Sequence, residues 1–276
     1  MSAQPQQRYT WEEVVERFEL TEEEIGSLQA LSDGWEEARE GERAFDPYLA
    51  FRALCAKKDH ERSMALLVEA DKLYAEAGVS ADGRKDSWVA AAQALQLDQE
   101  ESGLQVLHRE METGKYELGG VDLQGHPILV FRFARHQAAG TDVQVELLLM
   151  LRLIEVILEQ STVGVRQGVV FLCDCRNVGW ANFDKEMERF FLNTIQKKVP
   201  LRIRHMFVFR APFVFRAMLT LVRPFLSKAM KAKMLKINSD DALTEWIAPD
   251  QTPEDIGNGE APLWDVQSFI SQWWTP

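Results

Sequence analysis

Long uncharged hydrophobic runs are missing from this 276-residue chain, although 46% of its residues are hydrophobic. The two most apolar stretches, near 145–158 and 206–222, are broken by Glu146, Arg152 and Glu155 in the first and by Arg210, Pro212 and Arg216 in the second. Neither reaches the roughly 18 uncharged residues of a spanning helix. Cysteine is scarce: Cys55, Cys173 and Cys175 are odd in number and have no pairable spacing, which points to a reducing compartment. In Cys173-Asp-Cys175 the two thiols fall on one side of a strand, where they serve as small apolar groups. The opening MSAQPQQRYTWEE has no apolar core and soon turns acidic, unlike a secretory signal or an Arg-rich transit peptide. Glycine-rich nucleotide loops, Gly-x-Ser-x-Gly and His-Glu-x-x-His are all absent. His60, His108, His126, His136 and His205 are scattered without metal-ligand spacing. The expectation is a cytoplasmic protein with no metal, no cofactor and no catalytic residues.

Positive charge is in deficit overall, 31 bases against 43 acids for a net −12, yet residues 196–238 hold eleven Lys and Arg and no acid. The overall sign argues against nucleic acid as a partner. Screening over about 8–10 Å still lets a local basic face work at short range.

Helical signals fill residues 1–103. Thr10-Trp-Glu-Glu and Thr21-Glu-Glu-Glu read as helix caps, apolar residues recur at helical spacing from Pro47 to Ala77, and Trp88–Leu97 is a further helix. Ser80-Ala-Asp-Gly83 marks an end. From 104 to 276 the pattern changes. Gly119–Gly125 is turn chemistry, Pro127–Phe133, Gly168–Cys175 and His205–Phe209 are strand-like runs, and helical segments at 145–158 and 183–197 separate them. This is an α/β fold, a helical lobe followed by a mostly parallel sheet covered by helices. Asp174, at the end of a buried strand, is the default catalytic carboxylate of such a fold; capping of the following turn is the plainer role. Beyond the third strand, Pro212 can start a helix and Pro224 end it, with Phe213, Ala217, Met218, Leu221, Val222 and Phe225 as an apolar face.

Asp122-Leu-Gln-Gly-His-Pro127, the Phe171-Leu-Cys-Asp174 strand end, Ala211-Pro212 before a helix ending Pro224-Phe-Leu226, and Trp246 through Gly257 together resemble the CRAL-TRIO lipid-binding family. Leu54-Cys-Ala-Lys57 is similar to that family's helical-lobe signature. The Pro200–Arg204 and Pro224–Lys233 segments look most like the branch containing alpha-tocopherol transfer protein and cellular retinaldehyde-binding protein.

The resemblance implies a mobile gate helix carrying Phe213, Ala217, Met218, Leu221 and Phe225. It implies a hydrophobic ligand, tocopherol-, retinoid-, sterol- or phospholipid-like, in a cavity lined by Leu147, Met150, Ile154, Phe171, Cys173, Phe191, Ile195, Val199, Ile203, Met206, Val222 and Leu226. It also implies a phosphoinositide headgroup site at Lys57, Arg202, Arg204, Lys231 and Lys233, with Lys228 and Lys236 as neighbours. The expected function is a non-catalytic carrier that exchanges its ligand at phosphoinositide-bearing membranes, transiently associated with them. A lipid sensor or scaffold without net transfer stands beside it, and an enzyme using Asp174 is third.

Overall fold

The computed structural model describes residues 9–39, 44–79, 85–97 and 101–275, so the Ser80–Gly83 turn and the first eight residues lie outside the described residues. Helices α1 (Trp11–Arg17), α2 (Glu22–Ala38), α3 (Pro47–Lys57), α4 (His60–Glu76), α5 (Lys85–Ala94) and α6 (Gly103–Glu112) precede the sheet. Thr10 with Glu13 and Thr21 with Glu24 form reciprocal capping boxes, which satisfy the free N–H groups that open α1 and α2. Lys58, in the left-handed region at φ 58°, ends α3, and Asp59 restarts the chain by capping α4. Phe18 packs on Tyr48 and Phe51 at ring separations of 5.7 and 5.2 Å, joining α1 to α3.

Strands β1 (Tyr116–Val121), β2 (Pro127–Arg132), β3 (Val169–Asp174), β4 (Ile203–Phe209) and β5 (Met234–Ile237) lie side by side in chain order, β1 antiparallel to β2 and the rest parallel. Sequence pattern alone starts the sheet at Pro127 and stops it at Phe209, missing both edge strands. In β1 the adjacent Gly119 and Gly120 imitate a turn. They are there for close approach, since a Cβ on Gly120 would come within 3.0 Å of the Gln251 carbonyl oxygen and meet its side chain as well. β5 is only four residues long and carries Lys236.

α7 (Val143–Glu159) and α8 (Thr162–Gln167) connect β2 to β3, α9 (Lys185–Lys197) connects β3 to β4, and α10 (Phe213–Val222) and α11 (Lys228–Lys233) connect β4 to β5. Every parallel step advances one strand in the same direction, so right-handed connections place all of these helices on one face of the sheet. The other face, with Val130, Val170, Leu172, Phe207 and Phe209, is covered by Leu243 of α12 (Asp240–Thr244), Ile247 and Ile256. α13 (Val266–Trp273) returns to pack on α6, and Trp274 meets Trp88 edge-on at 6.4 Å.

α7 is buried almost all round because it lies between the sheet and α5, α6 and α8. Its charges find partners inside. Glu155 accepts from Arg52 at 2.5 Å and from the Tyr74 hydroxyl, and the Arg152 guanidinium sits over the Trp88 and Trp273 rings at 5.2 and 4.5 Å. Among the described residues no helix is long and apolar enough to cross a membrane.

Candidate functional site

Between the sheet and the helices on its connection face is a largely apolar cavity, part of it open to solvent. Phe171 and Cys173 of β3 and Met206 and Val208 of β4 form its floor. Phe215, Met218, Leu219 and Val222 of α10 form its roof, with the Phe215 ring edge-on to Phe133 at 4.9 Å. Glu188, Leu192 and Ile195 of α9, spaced four and three residues apart, run along one side, a length of about 10 Å at the helical rise. Burial pushes the Cys173 thiol up to about 12, so it faces the cavity as a neutral, unreactive group.

The two ends differ. At the carboxyl ends of the strands the polar side chains Tyr116, His136, Glu146, Asn182 and Glu188 stand among apolar ones. Glu146 is satisfied there, one oxygen by the Lys115 ammonium and the other by the Tyr116 hydroxyl at 2.8 Å. At the amino ends, Ile195, Ile203 and Met230 form the wall, and these same three residues also line a second pocket.

That second pocket carries Lys57 and Lys58 from the end of α3, Arg202 from the approach to β4, Ser227, and Lys233 from α11. Burial, and after it the charges of Arg202, Arg204 and Lys57, pull the Lys233 ammonium below its ordinary value, which places these three cations near enough to act on the fourth, Lys233. Among the described residues none of the four is paired with an acid. Arg202 donates to the Arg166 carbonyl at 3.1 Å and Arg204 to Gln124 Oε1 at 3.1 Å, neutral acceptors that orient the guanidinium groups while leaving their charge available. Gly168, at φ +114°, lets the backbone pass this point, since a Cβ there would sit 2.7 Å from the Arg202 carbonyl oxygen.

Of the residues expected around a ligand, Met150, Phe171, Cys173, Ile195, Ile203, Met206, Val222 and Leu226 line the cavity. Ile154 is one turn beyond Met150 along α7 and is closed into the core, while Leu147 is packed against that core on a neighbouring stripe of the helix. Val199 lines the basic pocket instead, and the side chain of Phe191 lies outside the described residues. The inward face of α10 differs from the expected one. Phe213 and Leu221 point to solvent, 78% and 45% exposed, and neither Ala217 nor Phe225 lines the cavity, whereas Met218 does. α10 is apolar on nearly every side, so spacing could not choose between the 213–217–221 stripe and the 215–218–222 stripe that faces inward. Lys57, Arg202 and Lys233 come together, with Arg204 near enough to act on Lys233. Lys228, Lys231 and Lys236 are exposed and lie outside the pocket. Lys58 was not anticipated, and nothing in its sequence context marks the left-handed backbone that places it there. Asp174 is engaged by Arg176, through Oδ1 to Nε at 2.9 Å and Oδ2 to the guanidinium at 2.8 Å, and is not part of the cavity wall.

An ion network, buried at Arg132 and Glu117 and reaching solvent at Arg135, closes the end of the sheet. Arg132 pairs with Glu117 at 2.5 Å and with Asp255 at 2.8 Å, Arg135 reaches Asp255 at 3.1 Å, and Arg176 donates to the Asp255 carbonyl at 2.5 Å. It ties the segment around Pro253–Gly257 to β1, β2 and the loop after β3, which gives that sequence motif a structural role.

Comparison with known proteins agrees with this architecture. The phosphatidylinositol transfer protein CSR1 of Eremothecium gossypii is 24% identical over 153 residues, covering 54% of this chain and 34% of that protein, so the match spans about a third of the relative's length. The crystal structure of Sfh5 superposes with a TM-score of 0.53 at 12% identity, over 91% of this chain and 96% of that one, a likeness of fold. The CRAL/TRIO domain family pattern matches residues 111–259, from the end of α6 through the loop that covers the far face of the sheet, and the chain belongs to the CRAL/TRIO domain family.

Proposed function

We propose that the protein holds one hydrophobic lipid-like molecule in the cavity beneath α10 and exchanges it at phosphoinositide-bearing membranes, without a chemical step. The carrying observation is that the apolar cavity and the acid-free basic pocket share the wall of Ile195, Ile203 and Met230. Apolar ligand surface gains about 25 cal/mol per Å² on leaving water, so burying 300 Å² of a chain is worth roughly 7 kcal/mol before ordering costs. Cations near a membrane contribute about 1 kcal/mol each towards anionic lipid, and Arg suits a phosphate in two-pronged fashion. CSR1 is named as a phosphatidylinositol transfer protein, which favours transfer for this chain too.

α10 serves as the gate. Its main contacts are with α9 and with the short turn at Arg223–Phe225 that ends it, and its start at Pro212 has no side-chain cap. Such a lightly held helix belongs to the readily opened part of a fold. Phe213 and Leu221 on its outer face are suited to contact a bilayer while the basic pocket engages headgroup phosphates. Docking then biases α10 towards opening through contacts made only in the open state. The likeness to the tocopherol and retinaldehyde carrier branch rests on the basic residues around Arg202 and Lys233. The protein works from the cytoplasm and associates with membranes transiently.

Transfer of a fluorescent phospholipid from donor to acceptor vesicles tests this reading. Acceptors containing phosphoinositide should raise the transfer rate. Tight binding with no transfer would make the protein a sensor, and no binding at all would remove the cavity as a lipid site.

A further inference from the structure

We propose that the polar pole of the cavity, His136 and Glu188 before a Tyr116–Glu146 backing, recognises the hydroxyl group of an otherwise apolar lipid. This deepens the lipid-carrier reading and rests on it. A cavity that served hydrocarbon alone would be apolar throughout. Here polar side chains from β1, α7, α9 and the turn after β2 converge at one end.

Two of those groups are already satisfied. Glu146 accepts from both Lys115 and Tyr116, and Lys115 also bonds Glu110 at 2.5 Å. The other two are not. His136 is 5% exposed, its backbone is pinned by Asn182 donating to its carbonyl at 2.8 Å, and its Nδ1 is buried with no partner among the described residues. Burial, then the nearby Lys115 charge, pulls its ring down to about 4, so the imidazole is neutral. Glu188 turns its carboxyl to the cavity without a hydrogen-bond partner among the described residues, and burial followed by the Asp184 charge pushes it up to about 7.

A buried ring nitrogen and a half-buried carboxyl that lines the cavity call for a ligand group able both to donate and to accept, and a hydroxyl does both from one atom. A phosphate is disfavoured, because Glu110, Glu146, Asp184 and Glu188 surround the pole and Lys115 is its one cation among these groups. A quaternary ammonium would leave His136 Nδ1 unpaired. The rings there are already engaged, Tyr116, Phe131 and Phe133 against one another at 4.9 and 4.0 Å and the Tyr116 ring with the Lys115 ammonium at 5.6 Å, which leaves no ring cage for a further cation. The cargo therefore enters head first, hydroxyl at the strand carboxyl ends and tail towards Ile195 and Met230. The basic pocket is left to read a phosphate belonging to the membrane.

The test is displacement of a fluorescent lipid from the full chain by four single-chain probes: hexadecanol, its methyl ether, hexadecyl phosphate and hexadecyltrimethylammonium. In the unaltered protein hexadecanol should bind about 10-fold or more tightly than the ether, the usual penalty for leaving buried polar groups without their partner. In Glu188→Leu and in His136→Phe that preference, read as the ratio of the two affinities within each variant, should fall to about one. Equal binding of alcohol and ether by the unaltered protein, or preference for the phosphate or ammonium chain, would overturn the hydroxyl site while leaving a lipid cavity. If neither the fluorescent lipid nor any chain binds, the carrier reading falls and this inference with it.

Discussion

Replacing Lys57, Arg202 and Lys233 together by Gln removes the cations that converge on one pocket without touching the apolar cavity wall. At about 1 kcal/mol per cation near an anionic surface the loss is about 3 kcal/mol, or on the order of 100-fold in membrane affinity. Stability should not fall alongside it. Burial, with Arg202, Arg204 and Lys57 beside it, pulls Lys233 below its ordinary value, so its charge is unfavourable to the folded state and its removal relieves repulsion. The assay is sedimentation with phosphatidylcholine vesicles with and without phosphoinositide, over a salt series, with thermal unfolding in parallel. The exposed set Lys228, Lys231 and Lys236, changed to Gln in the same way, should cost much less at physiological salt, because such charges are screened and act only through the general field. Unchanged binding by the pocket variant, or equal loss in the exposed variant, would refute the assignment of headgroup recognition to this pocket.

Arg52→Met leaves Glu155 buried with its cation gone and should cost roughly 3–5 kcal/mol in urea unfolding. Adding Glu155→Met should recover much of it, and failure to recover would show that the pair holds α3 on α7 by more than charge balance. Glu188→Gln should alter the pH dependence of the lipid-free protein. The folded-state value of about 7 lies above the ordinary 4.5, so the stabilisation present below 4.5 is lost as pH rises through 7, and the variant's melting temperature should stay flatter across that window. Gly168→Ala should destabilise by more than about 1 kcal/mol, since φ +114° and the 2.7 Å approach to the Arg202 carbonyl both oppose a Cβ; near-neutral behaviour in urea would mean the loop shifts freely.

The parallel core of the sheet was legible because β2, β3 and β4 are short apolar runs separated by helical spacing and bounded by Pro127, Gly168 and Pro200. The edge strands were not, since Gly119-Gly120 carries no side chain to show alternation and β5 is four residues with a lysine among them. In α10 the helix itself was clear between Pro212 and Pro224, but a segment apolar on nearly all sides does not declare its phase. The cationic site was legible as an acid-free run, and folding sorts that run into the pocket residues Arg202 and Lys233 and the exposed Lys228, Lys231 and Lys236. The polar pole is also marked in the sequence. Glu188 sits at the apolar phase of α9, four residues before Leu192, and Glu146 does the same before Met150 on α7. A carboxylate in the buried stripe of an amphipathic helix marks either an internal partner, as for Glu146, or a ligand, as inferred for Glu188.

Native mass spectrometry of the purified chain bears most directly on the lipid-carrier account. The unaltered protein should carry a single noncovalent lipid-sized adduct, or acquire one from vesicles. Leu219→Trp, which fills the cavity from the inner face of α10, should lose it while keeping its melting temperature. An unaltered protein that remains free of lipid after incubation with vesicles, or a Leu219→Trp variant that binds as before, would contradict the account.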